Sequence, residues 1–126
     1  HLRSSIEGIY AAGDIARVAH PVAGRPITVE HWDDAEAMGT VAGVNAAGGD
    51  AVWDAVPGFW SGIGDRWLNQ VAWGDGHDEI DFHGGDDSFV ARYGKNGVLV
   101  GVVTYNDDDA LEQGRADVAA GKPFRS

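Results

Sequence analysis

Two short stretches of this 126-residue chain carry residue types suited to holding a flat, polar ligand. The first is Tyr10-Ala11-Ala12-Gly13-Asp14, an apolar run that ends in Gly-Asp. At the carboxyl end of a sheet strand, glycine lets a ligand approach the backbone, and aspartate accepts hydrogen bonds from ligand hydroxyls. An ordinary turn with a capping aspartate has the same composition. The second is Val29-Glu30-His31-Trp32-Asp33, where a helical pattern begins. A helix N-terminus offers free N–H groups and partial positive charge, suited to an anion or to the electron-rich edge of a heteroaromatic ring. Trp32 could stack on such a ring, or it could be a core residue beside a cap.

Four further groups are weaker. His77, Asp78, Glu79, Asp81 and His83 hold metal-ligand side chains, and alternation puts Glu79, Asp81 and His83 on one strand face. A solvated outer face explains them more simply. Asp107-Asp108-Asp109 lacks the spaced ligands and glycine of a calcium loop, and fits a helix start. Ser61 has no Gly-x-Ser-x-Gly elbow, and Gly62-Ile63-Gly64 is followed at position 67 by Trp and follows no suitable strand.

The elements that must position these residues follow from the pattern. Ile9–Ala12 is short, apolar and closed by Gly13, as a buried strand is, and is expected to be the last strand of a sheet whose other members are missing. His20–Pro26, with two prolines and a glycine, predicts a loop. From Asp33 the spacing is helical: Ala35, Met38, Ala42 and Ala46 form a small-residue stripe that Gly48-Gly49 ends. Asp50–Gly58 reads as a linker. Four strands are expected next. They are Leu68–Trp73, Glu79–His83 with Ile80 and Phe82 on one side, Ser88–Tyr93 with Phe89, Ala91 and Tyr93 inward, and a central Val98–Tyr105. A last helix begins at an Asn106 cap and buries Leu111, Gly114 and Val118. The expected fold is α+β, an antiparallel sheet of three or four strands plus helices, with residues 1–50 and 51–126 as separate units.

Composition narrows the function. With 44% hydrophobic residues the chain has material for a core. Nothing approaches the roughly 20 apolar residues of a membrane span. The absence of cysteine removes disulfides, thiolate catalysis and iron–sulfur ligation, and fits a cytoplasmic setting. A net charge of −11, with nine scattered Lys and Arg, argues against nucleic acid and anionic membranes as partners.

In combination the motifs are more specific than apart. Ile9-Tyr10-Ala11-Ala12-Gly13-Asp14-Ile15-Ala16, a Pro- and Gly-containing loop, and Val29-Glu30-His31-Trp32-Asp33-Asp34-Ala35 resemble one region of the FAD-dependent ferredoxin and rubredoxin reductases, in the pyridine nucleotide-disulfide oxidoreductase superfamily. Pro57-Gly58-Phe59-Trp60-Ser61 resembles the motif that opens the C-terminal domain of that family. Leu99-Val100-Gly101-Val102-Val103-Thr104-Tyr105-Asn106 resembles the strand before its last helix. The chain departs from the family at Gly58, where relatives often carry a second aromatic, and at Gly62-Ile63, where they carry an acidic-amide pair.

The resemblance implies a remnant of the FAD-binding domain (residues 1–50) followed by a C-terminal interface-type domain (51–126). It implies that Gly13 and Asp14 lie at the ribityl chain of FAD. It also implies that the helix opened by Glu30, His31 and Trp32 points at the pyrimidine edge of the flavin, and that Trp60 reaches toward the ring. The parent activity would be hydride transfer from NAD(P)H to flavin and electron delivery to a ferredoxin, a rubredoxin or another acceptor. The chain's acidity disfavours an acidic acceptor docking on it. Neither Gly-x-Gly-x-x-Gly phosphate loop is present, so the chain by itself is expected to bind FAD weakly and to be inactive. Its expected partners are the remaining FAD and NAD(P)H domains, and second copies of itself, because five tryptophans imply an interface as well as a core. The alternative is a free-standing, non-enzymatic interaction module derived from that domain.

Overall fold

Periodicity 2 and periodicity 3.6 give way to each other along the chain. The computed structural model, which describes residues 1–125, resolves the resulting elements into two units, His1–Ala55 and Val56–Ser126.

In the first unit the run Ile9–Ala12 does not form the buried strand expected of it. Arg3 and Tyr10 make a single antiparallel bridge. Around it, the Ser4 N–H donates to the Ile9 carbonyl and the Ala11 N–H to the Leu2 carbonyl, while Ile9 stays 51% exposed. A strand needs paired edges, and this bridge alone does not supply them. Gly13, at φ +73°, then opens a single turn of 3-10 helix, Gly13–Ile15.

The expected loop at His20–Pro26 is instead the tight end of a hairpin. Strand β1 (Val18–His20) pairs antiparallel with β2 (Arg25–Ile27), and Pro26 stands opposite Ala19. In a two-stranded ribbon each strand keeps one open edge, where a missing N–H costs nothing. Helix α1 (Trp32–Ala46) buries Asp34, Met38 and Asn45. Ala46, expected in the buried stripe, faces solvent. The glycine pair ends the helix as expected. Gly48 takes φ +92°, its N–H reaches the Asn45 carbonyl (3.1 Å), and the Gly49 N–H reaches that of Val44 (3.0 Å). The segment expected as a linker is partly packed: Trp53 and Val56 are each 3% exposed.

The second unit is a five-stranded antiparallel sheet with one helix on it. Its strands are β3 (Gly58–Ile63), β4 (Arg66–Ala72), β5 (Glu79–Gly84), β6 (Phe89–Lys95) and β7 (Val98–Tyr105), in the order β3-β4-β7-β6-β5. Strand β3 is one more than expected. Its Gly-Phe-Trp-Ser-Gly-Ile sequence shows no alternation of apolar with charged residues, but it pairs with β4 as a hairpin, Ser61 opposite Leu68. Strand β7 is central, as its two apolar faces predict.

Helix α2 (Asp108–Ala119) covers one sheet face. Val56, Val71, Leu99, Val102, Val118 and Phe124 form the core, with Trp73, Val90 and Leu111 against it. The cap is Asp107 rather than Asn106: its Oδ1 accepts from the Ala110 N–H at 2.9 Å. Asn106 instead takes φ +53°, and its amide donates to the Asp87 carbonyl.

The register overturns one expectation about facing. Phe89, Ala91 and Tyr93 stand opposite Tyr105, Val103 and Gly101, whereas Val102 belongs to the face under α2. The trio therefore lies on the face away from the helix, together with Ile80 and Phe82, each 56% exposed.

Candidate functional site

The Gly-Asp turn and the mouth of α1 meet inside the first unit. Gly13 is buried, and a Cβ added there would touch the Ala35 Cβ at 3.5 Å. The backbone of the turn therefore lies against the first turn of α1. Positive φ, rather than lack of space, is what reserves the position for glycine. Asp14 follows with its carboxylate exposed and with no hydrogen-bond partner among the described residues.

At the helix mouth His31 is the N-cap, with extended backbone (φ −119°, ψ 143°) and no side-chain capping bond. Its carbonyl accepts from the Ala35 N–H at 3.0 Å, which leaves the N–H groups of the first turn without intrahelical acceptors. The ring Nδ1 of His31 sits 3.2 Å from Oδ2 of buried Asp34. Glu30 is exposed, and Trp32, 74% exposed, presents its indole at the mouth.

This arrangement offers an uncommitted carboxylate, a helix N-terminus and an exposed aromatic plane, all on adjacent turns. Those groups can accept hydrogen bonds from hydroxyls, donate to ring carbonyls or nitrogens, and cover a flat face. Asp33 and Asp34 in the first turn of α1 partly offset its positive end.

Trp60 lies in the other unit, on β3. It is 44% exposed, with its ring centroid 5.4 Å from that of Trp67. The metal candidates do not assemble. His83 Nε2 pairs with Asp81 at 2.9 Å, and Glu79 pairs with Arg125 at 2.7 Å. Among the described residues no group of three or more His, Asp or Glu side chains is placed to hold an ion.

Two polar residues that shape the unit were not foreseen. Asn45, 2% exposed, donates to the carbonyls of His1 (2.8 Å) and Ala51 (2.9 Å) and accepts from the Ala51 N–H. Its position on the apolar face of α1, between Met38 and the Gly48-Gly49 stop, was the available signal. His20, also 2% exposed, lies edge-on to Trp53; a lone histidine beside a proline carries no comparable signal.

No family model matches the chain. Apoptosis-inducing factor 3 of mouse is 29% identical over 129 residues, covering 98% of this chain and 21% of that protein. The 5,5'-dehydrodivanillate O-demethylase ferredoxin reductase subunit of a Sphingobium species is 34% identical, covering 94% of this chain and 29% of that one. Among solved structures, the covalent putidaredoxin reductase–putidaredoxin complex superposes with a TM-score of 0.80 at 25% identity, over 98% of this chain and 30% of that one. Fdr9 superposes at 0.78 with 34% identity, over 96% and 33%. The chain thus spans about a fifth to a third of the length of the proteins it matches. Order of motifs, α+β architecture and similarity over nearly the whole chain agree: its homologues are ferredoxin reductases, of which it matches only a part.

Proposed function

We propose that this chain supplies one wall of a flavin site, and an interface domain, to an FAD-dependent NAD(P)H oxidoreductase that delivers electrons to a ferredoxin-like or other acceptor. The observation that carries the reading is the packing of the Gly13-Asp14 turn against the first turn of α1. It brings an exposed carboxylate and an open helix N-terminus together within one unit.

The residues fit the cofactor's chemistry. Asp14 would hold the hydroxyls of the ribityl chain. The N–H groups at the mouth opened by Glu30, His31 and Trp32 would face the pyrimidine edge, and Trp32 would shield a face of the ring from water. The flavin supplies the ability to accept a hydride from NAD(P)H and pass electrons on singly. The protein's part is to orient it and to favour the negative charge of its reduced form through the helix N-terminus.

The test is a protein carrying this chain together with the FAD and NAD(P)H domains that its relatives have. It should hold flavin that NADH or NADPH bleaches, and Asp14→Ala should lower flavin retention at least tenfold while leaving the far-UV spectrum unchanged. Retention unaffected by Asp14→Ala would remove that residue from the site. The chain's exposed aromatic faces lead us to expect self-association of the 126-residue chain by itself. Sedimentation showing monomer at high concentration would count against this.

A further inference from the structure

The first unit contains one ionisable ring that is almost completely enclosed. His20 ends β1 and is 2% exposed. Its ring centroid lies 4.9 Å from that of Trp53 at 88°, edge to face. Both ring nitrogens face backbone. The Ala23 N–H points at Nδ1 from 3.2 Å, within the tight turn of the hairpin, and Nε2 lies 3.1 Å from the Ala55 carbonyl.

These two partners fix the protonation state. A carbonyl only accepts, so Nε2 must carry hydrogen; a peptide N–H only donates, so Nδ1 must be bare. Only the neutral Nε2–H tautomer satisfies both. A proton added at Nδ1 would set two hydrogens against each other at 3.2 Å and would bury a charge inside the unit. The hydrogen bond at Ala23 would then have to break.

We propose that His20 is an acid-operated latch: neutral, it ties the hairpin tip at Ala23 to the Trp53–Ala55 segment, and protonation releases the tip at Ala23 while the bond to the Ala55 carbonyl stays made. The segment it holds runs directly into Val56, where the second unit begins. Acid therefore frees the hairpin tip from the segment that the ring otherwise clasps.

The charged groups around the ring do not reverse this. Burial is the largest influence and disfavours the charged ring. Arg25, opposite on β2, acts in the same direction. Asp54 on the held segment, Asp34 on α1 and the Ala55 carbonyl oppose it, and the net direction is downward from the ordinary value. The latch therefore stays closed at neutral pH and opens below the unperturbed histidine value of about 6.5.

The test is a titration of the full 126-residue chain by NMR from about pH 8 to about pH 5. Three signals are followed: the His20 ring nitrogens, the protection factor of the Ala23 amide, and the indole N–H of Trp53. The expected result is an Nε2–H tautomer at the start. Protection at Ala23 should then fall at least tenfold, with a midpoint shared by the ring and the indole, while the Leu99 amide in the sheet keeps its protection. In His20→Gln, Ala23 protection should no longer change with pH beyond the intrinsic exchange rate. Should that variant not fold, the coincidence of the three wild-type midpoints still decides. Ring titration without loss at Ala23, loss at Ala23 without ring titration, or a ring that stays neutral until the whole chain unfolds would each overturn the latch.

Discussion

Asn45 commits both side-chain heteroatoms to backbone groups from two distant parts of the chain, His1 and Ala51, and its own carbonyl accepts from the Tyr10 hydroxyl at 3.0 Å. Replacing it by Ala would strip a partner from the His1 and Ala51 carbonyls and leave the Ala51 N–H unpaired, at a cost of about 1–3 kcal/mol for a stranded group. Asn45→Ala should therefore lower the denaturant midpoint of the first unit well below that of the second. Equal midpoints before and after the change would show that water replaces the side chain. Asp117 is the comparable residue in the second unit. It is 6% exposed and accepts from Lys122 Nζ and Gln113 Nε2, each at 2.7 Å. The bond from Lys122, and secondarily that from Gln113, hold its carboxyl below the ordinary 3.8 despite burial. Because the folded value is depressed, the stability it contributes is complete above 3.8 and is lost as pH falls from there through the lower folded value. Asp117→Asn should flatten the acid limb of a stability-against-pH curve in that window, and an unchanged limb would assign the acid sensitivity elsewhere. Asp117 does not declare itself in sequence, since an isolated Asp on a helix looks like solvent-facing polarity, whereas Asn45 is marked only by its place on the apolar face of α1. The Gly13-Asp14 turn and the α1 mouth were legible because each joins a backbone requirement to a side-chain type.

At the scale of elements, legibility followed periodicity. Strand β7 and both helices were readable because an apolar octet and 3.6-residue stripes survive whatever packs on them. Strand β3 was not, because a tryptophan, a serine and two glycines leave no alternation to count. Facing in β6 was misjudged for another reason. Arg92 shares its side of the strand with Val90, and its charge marks that side as outward in sequence, whereas the pairing with β7 sets it on the face of Val102. The seat of α2 on the sheet tests how tightly these elements interlock. Gly114 faces β7 so closely that a Cβ there would lie 2.7 Å from Val102 Cγ2 and 2.9 Å from its Cβ. An alanine is a better helix former by about 1 kcal/mol, but overpacking costs about 1–3 kcal/mol. Gly114→Ala should therefore destabilise the second unit on balance. Pairing it with Val102→Ala should restore only part of the helix's seating, because the Cβ at 102 stays 2.9 Å away, and a double-mutant cycle would show the coupling.

At the scale of the whole molecule, the candidate site and the cofactor's usual anchors separate. Dinucleotide cofactors are gripped mainly at the pyrophosphate, by a glycine-rich turn whose N–H groups and helix dipole meet the charge. This chain has no Gly-x-Gly-x-x-Gly, and its net charge of −11 opposes a dianionic ligand at long range. What the candidate site offers is an exposed carboxylate at Asp14, a helix mouth with two acids in its first turn, and the exposed indole of Trp32. Asp14 would repel the pyrophosphate as readily as it accepts from ribityl hydroxyls. FAD added to the 126-residue chain should accordingly bind more weakly than about 1 μM, a free energy smaller than about 8 kcal/mol. Riboflavin, which keeps the ring and ribityl chain without the phosphates, should lose little relative to FAD, and raising salt should narrow any remaining difference by screening the like charges. Fluorescence titration of both flavins at two ionic strengths makes the comparison. Submicromolar FAD with riboflavin far weaker would mean that some part of the 126 residues grips the pyrophosphate after all, and the three cations nearest the Gly-Asp turn in sequence, Arg3, Arg17 and Arg25, would be the first to replace.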